Sequence, residues 1–510
     1  MSHTVKSYHR FTGYDRYNMS PHYLDWASQP AQFKNYPGVT TVSLPEASDI
    51  YRMPLIEACQ NAAEKPAAVL PGAAALARVF TLACGLTAKA RQPGGDFCFR
   101  SAPSAGALYP NELYLIWPGS SELDAGVYHF GFQHRKLAPL RTGDFARVFE
   151  QAFGSKDETP AARFLVSGIF FRSAWKYRSR AYRYVLMDAG HLIENLRLAI
   201  SAAGFPARLE LAFDDLAADQ LLGVNPDREG CLGGLKIPVT DTDSGAAAEP
   251  RIDPLPETFA EASRVSEKEI EYEAILDIHR AGRKLTDRGP STADPAEVLG
   301  LTADDWTPLT AIASDDQIAG APVMDYAEAS LRRRSRRNFV KDPMTAAQFA
   351  YLLNLVSGAR GRAVQNQPDG AAQIVCGCLV GNVSGMAPGF YLLDMEKRQL
   401  GRVYTGDKRG NMTAICLNQA WLANAAAHFV LMTNLEGLDQ AFGARGYRYA
   451  MIGAGRLGHL LYLGATALGM GCCGIGAFYD GEARQLLGLT EASDMLYLLA
   501  VGQTKSGGAF

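Results

Sequence analysis

The 510-residue sequence predicts an α+β fold that occurs twice in one chain, the two copies packing as an internal pseudo-dimer. The first observation behind this is a long internal repeat. YRYVLMDAGHLIENLRLAISAAGF, from Tyr182, returns 265 residues later as YRYAMIGAGRLGHLLYLGATALGMG, from Tyr447. The register holds without gaps. Phe164 matches Phe429, Arg180 matches Arg445, Gly190 matches Gly455, Gly204 matches Gly469, Phe213 matches Phe478, and 220–223 match 485–488. A single long period indicates a duplicated domain, not a stack of short repeats. The second observation is that in each copy a strand-like run, 164–170 or 428–433, leads into helical periodicity. The third is composition: 47% hydrophobic and 20% charged residues suit a globular chain and argue against disorder, a collagen-like repeat or an extended coiled coil.

In chain order, further strands are expected over 112–117, 373–380 and 496–502, interleaved with helices such as 346–356. Val185, Ala189, Leu192, Leu196 and Ile200 form one stripe of the first repeat helix, which Gly204 and Pro206 stop. Gly469 and Gly471 stop the second. The run 460–479 carries no formal charge over twenty residues, a crude membrane signal. Its glycines, and Glu194, Arg197, Arg208 and Glu210 in the first copy, indicate a buried packing helix instead. Residues 241–321, rich in Pro, Asp, Glu and Ser, read as a linker with one charged helix over 257–283. The expected domains are therefore 1–240 and 322–510, on either side of it.

A net charge of −3 leaves no broad cationic surface for nucleic acid, so an anion site has to be a local cluster. The nine cysteines are an odd number with no CxxC pair, which supports neither a metal site nor a disulfide framework. The opening MSHTVKSYHRFTGYDRYNM has no apolar run of the secretory kind, so the expected location is the cytoplasm.

Five motifs could carry chemistry. LRRRSRRNF places Arg333, Arg334, Ser335 and Arg337 together, and guanidinium forks beside a hydroxyl suit a phosphate; a solvated helix face is the plainer reading. In FRSAPSAGALYPNELYL, the small residues Pro103, Ser104, Ala105 and Gly106 precede a strand and would let main-chain N–H groups approach a flat or anionic ligand, unless this is a simple turn. GCCGIGAF, with Gly474, Ile475, Gly476 and Ala477, would let the main chain touch a planar ring, or serve tight packing alone. Gly453, Gly455 and Gly458 spell GxGxxG, but inside helical periodicity and with Asp188, Gly190 and Ile193 in the first copy, so a dinucleotide site is not expected. Lys176 and Tyr177 lie among Arg172, Arg178, Arg180 and Arg183. Neighbouring cations disfavour an ammonium, which would move Lys176 toward a general-base role, with the tyrosine relaying a proton. The second copy has Ala441 and Phe442 there, and an amphipathic helix start is the bland alternative.

Together these residues resemble the nitroreductase superfamily of FMN enzymes and, within it, the SagB-type dehydrogenases that oxidise azolines to azoles in ribosomal peptides. The resemblance spans nearly the whole chain, from the N-terminal extension YHRFTGYDRYNMSPHYLDWASQPAQFKNYPG to the closing LYLLAVGQ. PSAGALYP and RRSRRNF carry the superfamily, and the Lys–Tyr pair points to the dehydrogenase branch. The resemblance implies FMN held between an arm from one half and a turn from the other. The first-half segment opposite the arm, 60–64, reads QNAAE, and the second-half segment opposite the turn, 365–371, reads QNQPDGA. Each half lacks what the other keeps, which implies one composite site and one FMN per chain. Arg333, Arg334, Ser335 and Arg337 then serve the phosphate and ribityl side, Pro103–Gly106 and Gly474–Ala477 line the flavin with loop N–H groups toward it, and Gln419 makes a polar ring contact. Ala107, where many nitroreductases have Asn, departs from the pattern. Lys176 or Tyr177 would take a substrate proton as hydride passes to flavin N5, and oxygen or another acceptor would reoxidise the flavin. The alternatives are an NAD(P)H-dependent nitroreductase or quinone reductase and a non-catalytic flavin-binding scaffold within a peptide-modifying complex. The substrate, a small molecule or peptide, and any dimerisation beyond the pseudo-dimer stay open.

Overall fold

The computed structural model describes residues 4–19, 23–47, 52–60, 66–92, 95–146, 148–149, 161–240, 252–285, 295–320, 323–359 and 370–505. In the first half the chain runs through α1 (Val5–Phe11), β1 (Val42–Ser43), α2 (Ala73–Cys84), β2 (Leu86–Gln92), β3 (Gly95–Arg100), β4 (Asn111–Trp117), β5 (Gly126–Gly131), β6 (Lys136–Thr142) and β7 (Ala161–Ile169). It continues through α3 (Phe170–Tyr177), α4 (Ala181–Ala202), β8 (Arg208–Glu210), α5 (Asp215–Leu222) and β9 (Glu229–Pro238). The second half comprises β10 (Asp304–Pro308), α6 (Tyr326–Arg332), α7 (Ala346–Ser357), β11 (Val375–Val380), β12 (Gly389–Asp394), β13 (Gln399–Thr405) and β14 (Ala427–Asn434). It closes with α8 (Leu435–Phe442), α9 (Arg445–Ala467), β15 (Gly471–Ile475), α10 (Asp480–Leu487) and β16 (Ser493–Gly502).

Each half builds a seven-stranded antiparallel sheet, ordered β1-β6-β5-β4-β7-β9-β8 and β10-β13-β12-β11-β14-β16-β15. The two orders correspond strand for strand, so the repeat legible in 164–223 and 429–488 extends to the whole topology. Strands β4, β7, β9, β14 and β16 are buried nearly end to end, which is why their sequences run apolar instead of alternating. The hairpin β2–β3 stands apart from both sheets.

Helices α4 and α9 pack against each other at the centre, buried along almost their entire length. They cross where Gly190 meets Gly455: a Cβ on Gly190 would collide with the Ile452 carbonyl and lie 2.9 Å from Gly455 Cα. That contact accounts for the GxGxxG run. Gly453 rests on Gly370 and Gly458 faces Tyr497, so these glycines serve helix packing. Among the described residues no helix is long and apolar enough to cross a membrane.

The halves are also tied by two matched ionic knots. Arg180 and Arg183 on the first half reach Asp480, at 2.8 and 2.6 Å, and their repeat counterparts Arg445 and Arg448 reach Asp215, at 2.9 and 2.6 Å. The arginines hold both aspartate carboxyls below their ordinary range despite burial. The N-terminal segment joins the first knot, with Tyr14 N–H on Asp480 at 2.9 Å and the Thr12 carbonyl accepting from Arg180 at 2.8 Å.

Two expectations change. The helix expected over 257–283 is two short ones, Glu257–Glu261 and Glu273–Ala281. Between them Val265 is buried against Ile169 and Phe171, and its N–H donates to Glu269 at 2.7 Å, which draws the chain out of helical register. The segment expected to be linker also supplies β10, which pairs with β13 at the edge of the second sheet.

Candidate functional site

The small-residue turn between β3 and β4 is held by one buried carboxylate. Ser104 Oγ donates to Asp188 Oδ2 at 2.5 Å, Ala105 N–H donates to the same carboxylate at 3.1 Å, and Ser104 Oγ accepts from Tyr109 N–H at 2.9 Å. These bonds offset strain, because Gly106, Ala107 and Tyr109 have φ of 64°, 55° and 47°. Left-handed backbone costs a non-glycine residue about 1–2 kcal/mol. Pro103 is buried behind the turn, whereas Gly106 is exposed at its tip.

Above that tip stand Lys176 and Tyr177, the last residues of α3. A Cβ on Gly106 would lie 2.8 Å from Tyr177 Oη and 3.2 Å from Lys176 Nζ, so glycine is needed for both conformation and space. The Tyr177 ring packs 4.3 Å from that of Tyr184. Burial pushes the phenol well above its ordinary range, so it stays a proton-bearing donor. Lys176 is shifted the other way, first by burial and then by the Arg337 guanidinium. The cations adjacent in sequence are not the cause. Arg172 pairs with Glu112, and Arg180 and Arg183 with Asp480.

The arginine arm follows α6 and docks onto the first half. Arg333 is buried and donates to the Ser101 and Arg100 carbonyls, at 2.5 and 3.1 Å, immediately before the turn. Arg334 donates to the carbonyls of Thr87, Leu331 and Arg333, at 2.7, 3.1 and 2.6 Å. Both therefore brace the arm against main chain. Ser335 and Arg337 are exposed, and Arg337 has no acidic partner among the described residues. Its guanidinium lies 5.7 Å over Trp421.

The glycine loop completes the constellation in a way the sequence did not indicate. Gly474 N–H, expected to face a ligand, donates to Tyr462 Oη at 2.7 Å, and Ser335 Oγ shares that phenol at 3.0 Å. A Cβ on Gly474 would collide with Tyr497 Oη, and one on Gly476 with the Tyr184 ring. Gly476 O accepts from Arg180 at 2.8 Å and from Tyr184 Oη at 3.0 Å. Ile475 is buried in the second-half core, and Ala477 is half-buried beyond it. Gln419 donates to Cys416 O at 3.0 Å and follows Leu417 and Asn418, both left-handed; two residues beyond it, Trp421 lies under the Arg337 guanidinium.

Thus the turn, the Lys–Tyr pair and the arm converge, with the glycine loop alongside, while Gln419 sits at the margin. Asp188, Tyr184, Tyr462 and Tyr497 were not singled out from sequence. The repeat offered a signal: Asp188 corresponds to Gly453, and Tyr462 to Arg197. At the pseudo-equivalent place Gly370 packs directly on Gly453, and Arg197 with Arg456 clasps Glu194, at 2.6 and 2.9 Å, in a buried ion triad. Of the segments 60–64 and 365–371, only Gln60, Gly370 and Ala371 lie within the described residues.

The sequence profile of the nitroreductase family matches residues 73–237 and 392–503, one stretch in each half. The chain belongs to the nitroreductase family. It is an oxidoreductase of that family, whose members typically depend on a flavin. A nitroreductase-type protein of Methanocaldococcus jannaschii is 28% identical over 176 residues, covering 34% of this chain and 88% of its own length. The microcin B17-processing protein McbC of Escherichia coli is 30% identical over 123 residues, 23% of this chain and 45% of McbC. The crystal structure of a nitroreductase-type protein from Anabaena variabilis superposes with a TM-score of 0.75 at 23% identity, covering 98% of this chain and all of the other, and so shares the fold.

Proposed function

We propose that this chain is a SagB-type dehydrogenase that holds one FMN and oxidises an azoline or similar C–N substrate. The observation that carries this reading is the meeting of Lys176 and Tyr177 with the Gly106 tip, within electrostatic reach of Arg337 from the other half. The residues present fit an FMN. Gly106, with no side chain, lets Lys176 and Tyr177 close over the tip of the turn, and the exposed Ser335 hydroxyl and Arg337 guanidinium beside them suit a phosphate. Arg333 and Arg334 would hold that arm in place, while Gln419 stays at the margin, bonded to Cys416 O. FMN, when bound, supplies a two-electron hydride acceptor.

The chain's own contribution is proton handling and orientation. Lys176 Nζ, its ammonium disfavoured by burial and by Arg337, takes the proton that a substrate carbon loses on oxidation. Tyr177 Oη, kept protonated, donates a hydrogen bond to the substrate heteroatom. The likeness to McbC, a microcin-processing protein, supports a peptide-borne substrate. The likeness to the Methanocaldococcus protein favours the second reading, an NAD(P)H-dependent reductase of nitroaromatics or quinones.

Lys176→Ala distinguishes the two. In the dehydrogenase it retains FMN and loses thiazoline oxidation. Unchanged thiazoline turnover in the variant, or thiazoline-inert wild type that reduces nitroaromatics with NAD(P)H, overturns the dehydrogenase reading.

A further inference from the structure

We propose that Asp188 is a positioning residue of this site, its carboxylate holding the 104–109 turn in the left-handed form that sets Gly106 against Lys176 and Tyr177. The inference rests on the FMN reading above. It does not follow from that reading, because Asp188 reaches the site only through the turn.

Three observations support it. The carboxylate takes both the Ser104 hydroxyl and the Ala105 N–H, and Ser104 in turn accepts from Tyr109, so one buried group fixes both ends of the strained stretch. The duplication supplies an internal comparison. Where the first half has Asp188 and Lys176–Tyr177, the second has Gly453 and Ala441–Phe442, and there Gly370 lies directly on the helix. Thus the carboxylate occurs in the same half as the Lys–Tyr pair. Finally, burial raises the Asp188 carboxyl to about 7 against the pull of its two donors, so its charge changes in the neutral range.

The groups facing it are Tyr109 in the turn, Tyr177 on α3 and Tyr497 on β16, all raised above the ordinary tyrosine range and uncharged near pH 7. Lys176 is the cation that reaches the same turn from α3, with Arg337 beyond it, and Arg333 of the arm bonds Ser101 O just before the turn and acts on Tyr109. Burial penalises the ionised carboxyl as a whole, but the Ser104 and Ala105 bonds each pull the carboxyl down, so these two bonds, which hold the turn, are stronger above pH 7 than below it.

The test is FMN affinity, read by quenching of flavin fluorescence between pH 5.5 and 8.5 at constant ionic strength. Wild type is expected to bind more tightly as pH rises through about 7. Asp188→Asn, which keeps the shape and cannot ionise, is expected to lose that step and to bind about tenfold more weakly at high pH, the effect of one charge-assisted hydrogen bond. Asp188→Glu should recover a step, and Lys176→Met should keep it, which separates the carboxyl from the amine. Ser104→Ala, a milder change, guards against a misfolded Asn variant and should also weaken binding. Asp188→Asn with wild-type affinity and an unchanged step overturns the inference. Wild type that binds no FMN at any pH overturns the reading beneath it.

Discussion

The two ionic knots offer a matched pair of perturbations, Asp480→Asn and Asp215→Asn. Each removes one buried negative charge from between two buried arginines, so each should cost about 3–5 kcal/mol of stability, the usual effect of stripping a buried pair of its partner. Unfolding entropy of ~2.1 cal/mol/K per residue means roughly one degree of Tm per kcal/mol in a chain this long, so both melts should fall by about 3–5 °C. The site should tell them apart. Arg180, freed from Asp480, also holds the Gly476 carbonyl at 2.8 Å, whereas Arg445 and Arg448 hold Asp215 beside the pseudo-equivalent place. Asp480→Asn should therefore weaken FMN binding about tenfold or more, the worth of a charged hydrogen bond, and Asp215→Asn should leave it near wild type. Calorimetric melts and flavin titrations at 20 °C measure both effects. The sign with pH is fixed as well: both carboxyls lie below their ordinary range, so their stabilisation is complete above that range and is lost as pH falls beneath it. Equal loss of flavin affinity in the two variants would refute the assignment of a single retained site.

Three further outcomes are expected. Thiazoline oxidation should rise with pH on a limb set by Lys176, at lower pH than an ordinary lysine because burial and Arg337 both favour the neutral amine; a limb at 10.5 or above would contradict this. Arg337→Ala should lower FMN affinity by about 10–100-fold through loss of a charged phosphate contact, and should move the Lys176 limb to higher pH because one repulsive cation is gone; pH–rate profiles of the reconstituted variant check the second effect. Gly106→Ala should retain the fold yet lose most turnover, since its Cβ would sit 2.8 Å from Tyr177 Oη on a backbone already at φ 64°, and a crystal structure of the variant should show the turn or the Lys–Tyr pair displaced.

Much of the fold was legible because duplication writes the same information twice. The strands 164–170 and 428–433 and the paired helices were readable from one alignment of the chain with itself; the structure sets the strands at Ala161–Ile169 and Ala427–Asn434, with Phe170 already in α3. The edge strand β10 was not legible, since a short exposed strand has neither alternation nor an apolar run to mark it. Nor was the break in 257–283, which depends on Val265 finding an apolar cluster elsewhere. At the site, the turn, the arm and the Lys–Tyr pair were visible as residue types, but their wiring was not. Arg172, Arg180 and Arg183 look like the cations around Lys176 until Glu112 and Asp480 claim them across the fold. Arg333 and Arg334 look like phosphate donors until they meet main-chain carbonyls. Asp188 reads as one more polar residue on a helix, and only the approach of Ser104 and Ala105 gives it a task.

One retained flavin site built from both halves requires one FMN molecule per chain, a number that can be measured directly. Purified protein, saturated with FMN and freed of excess, should release about one per chain, quantified by its visible absorbance against protein concentration. Two per chain would mean that the place where Gly370 lies on Gly453 also binds flavin, and none that can be restored would mean that the Gly106 turn and the Ser335–Arg337 arm do not form a flavin site; either result contradicts a single composite site.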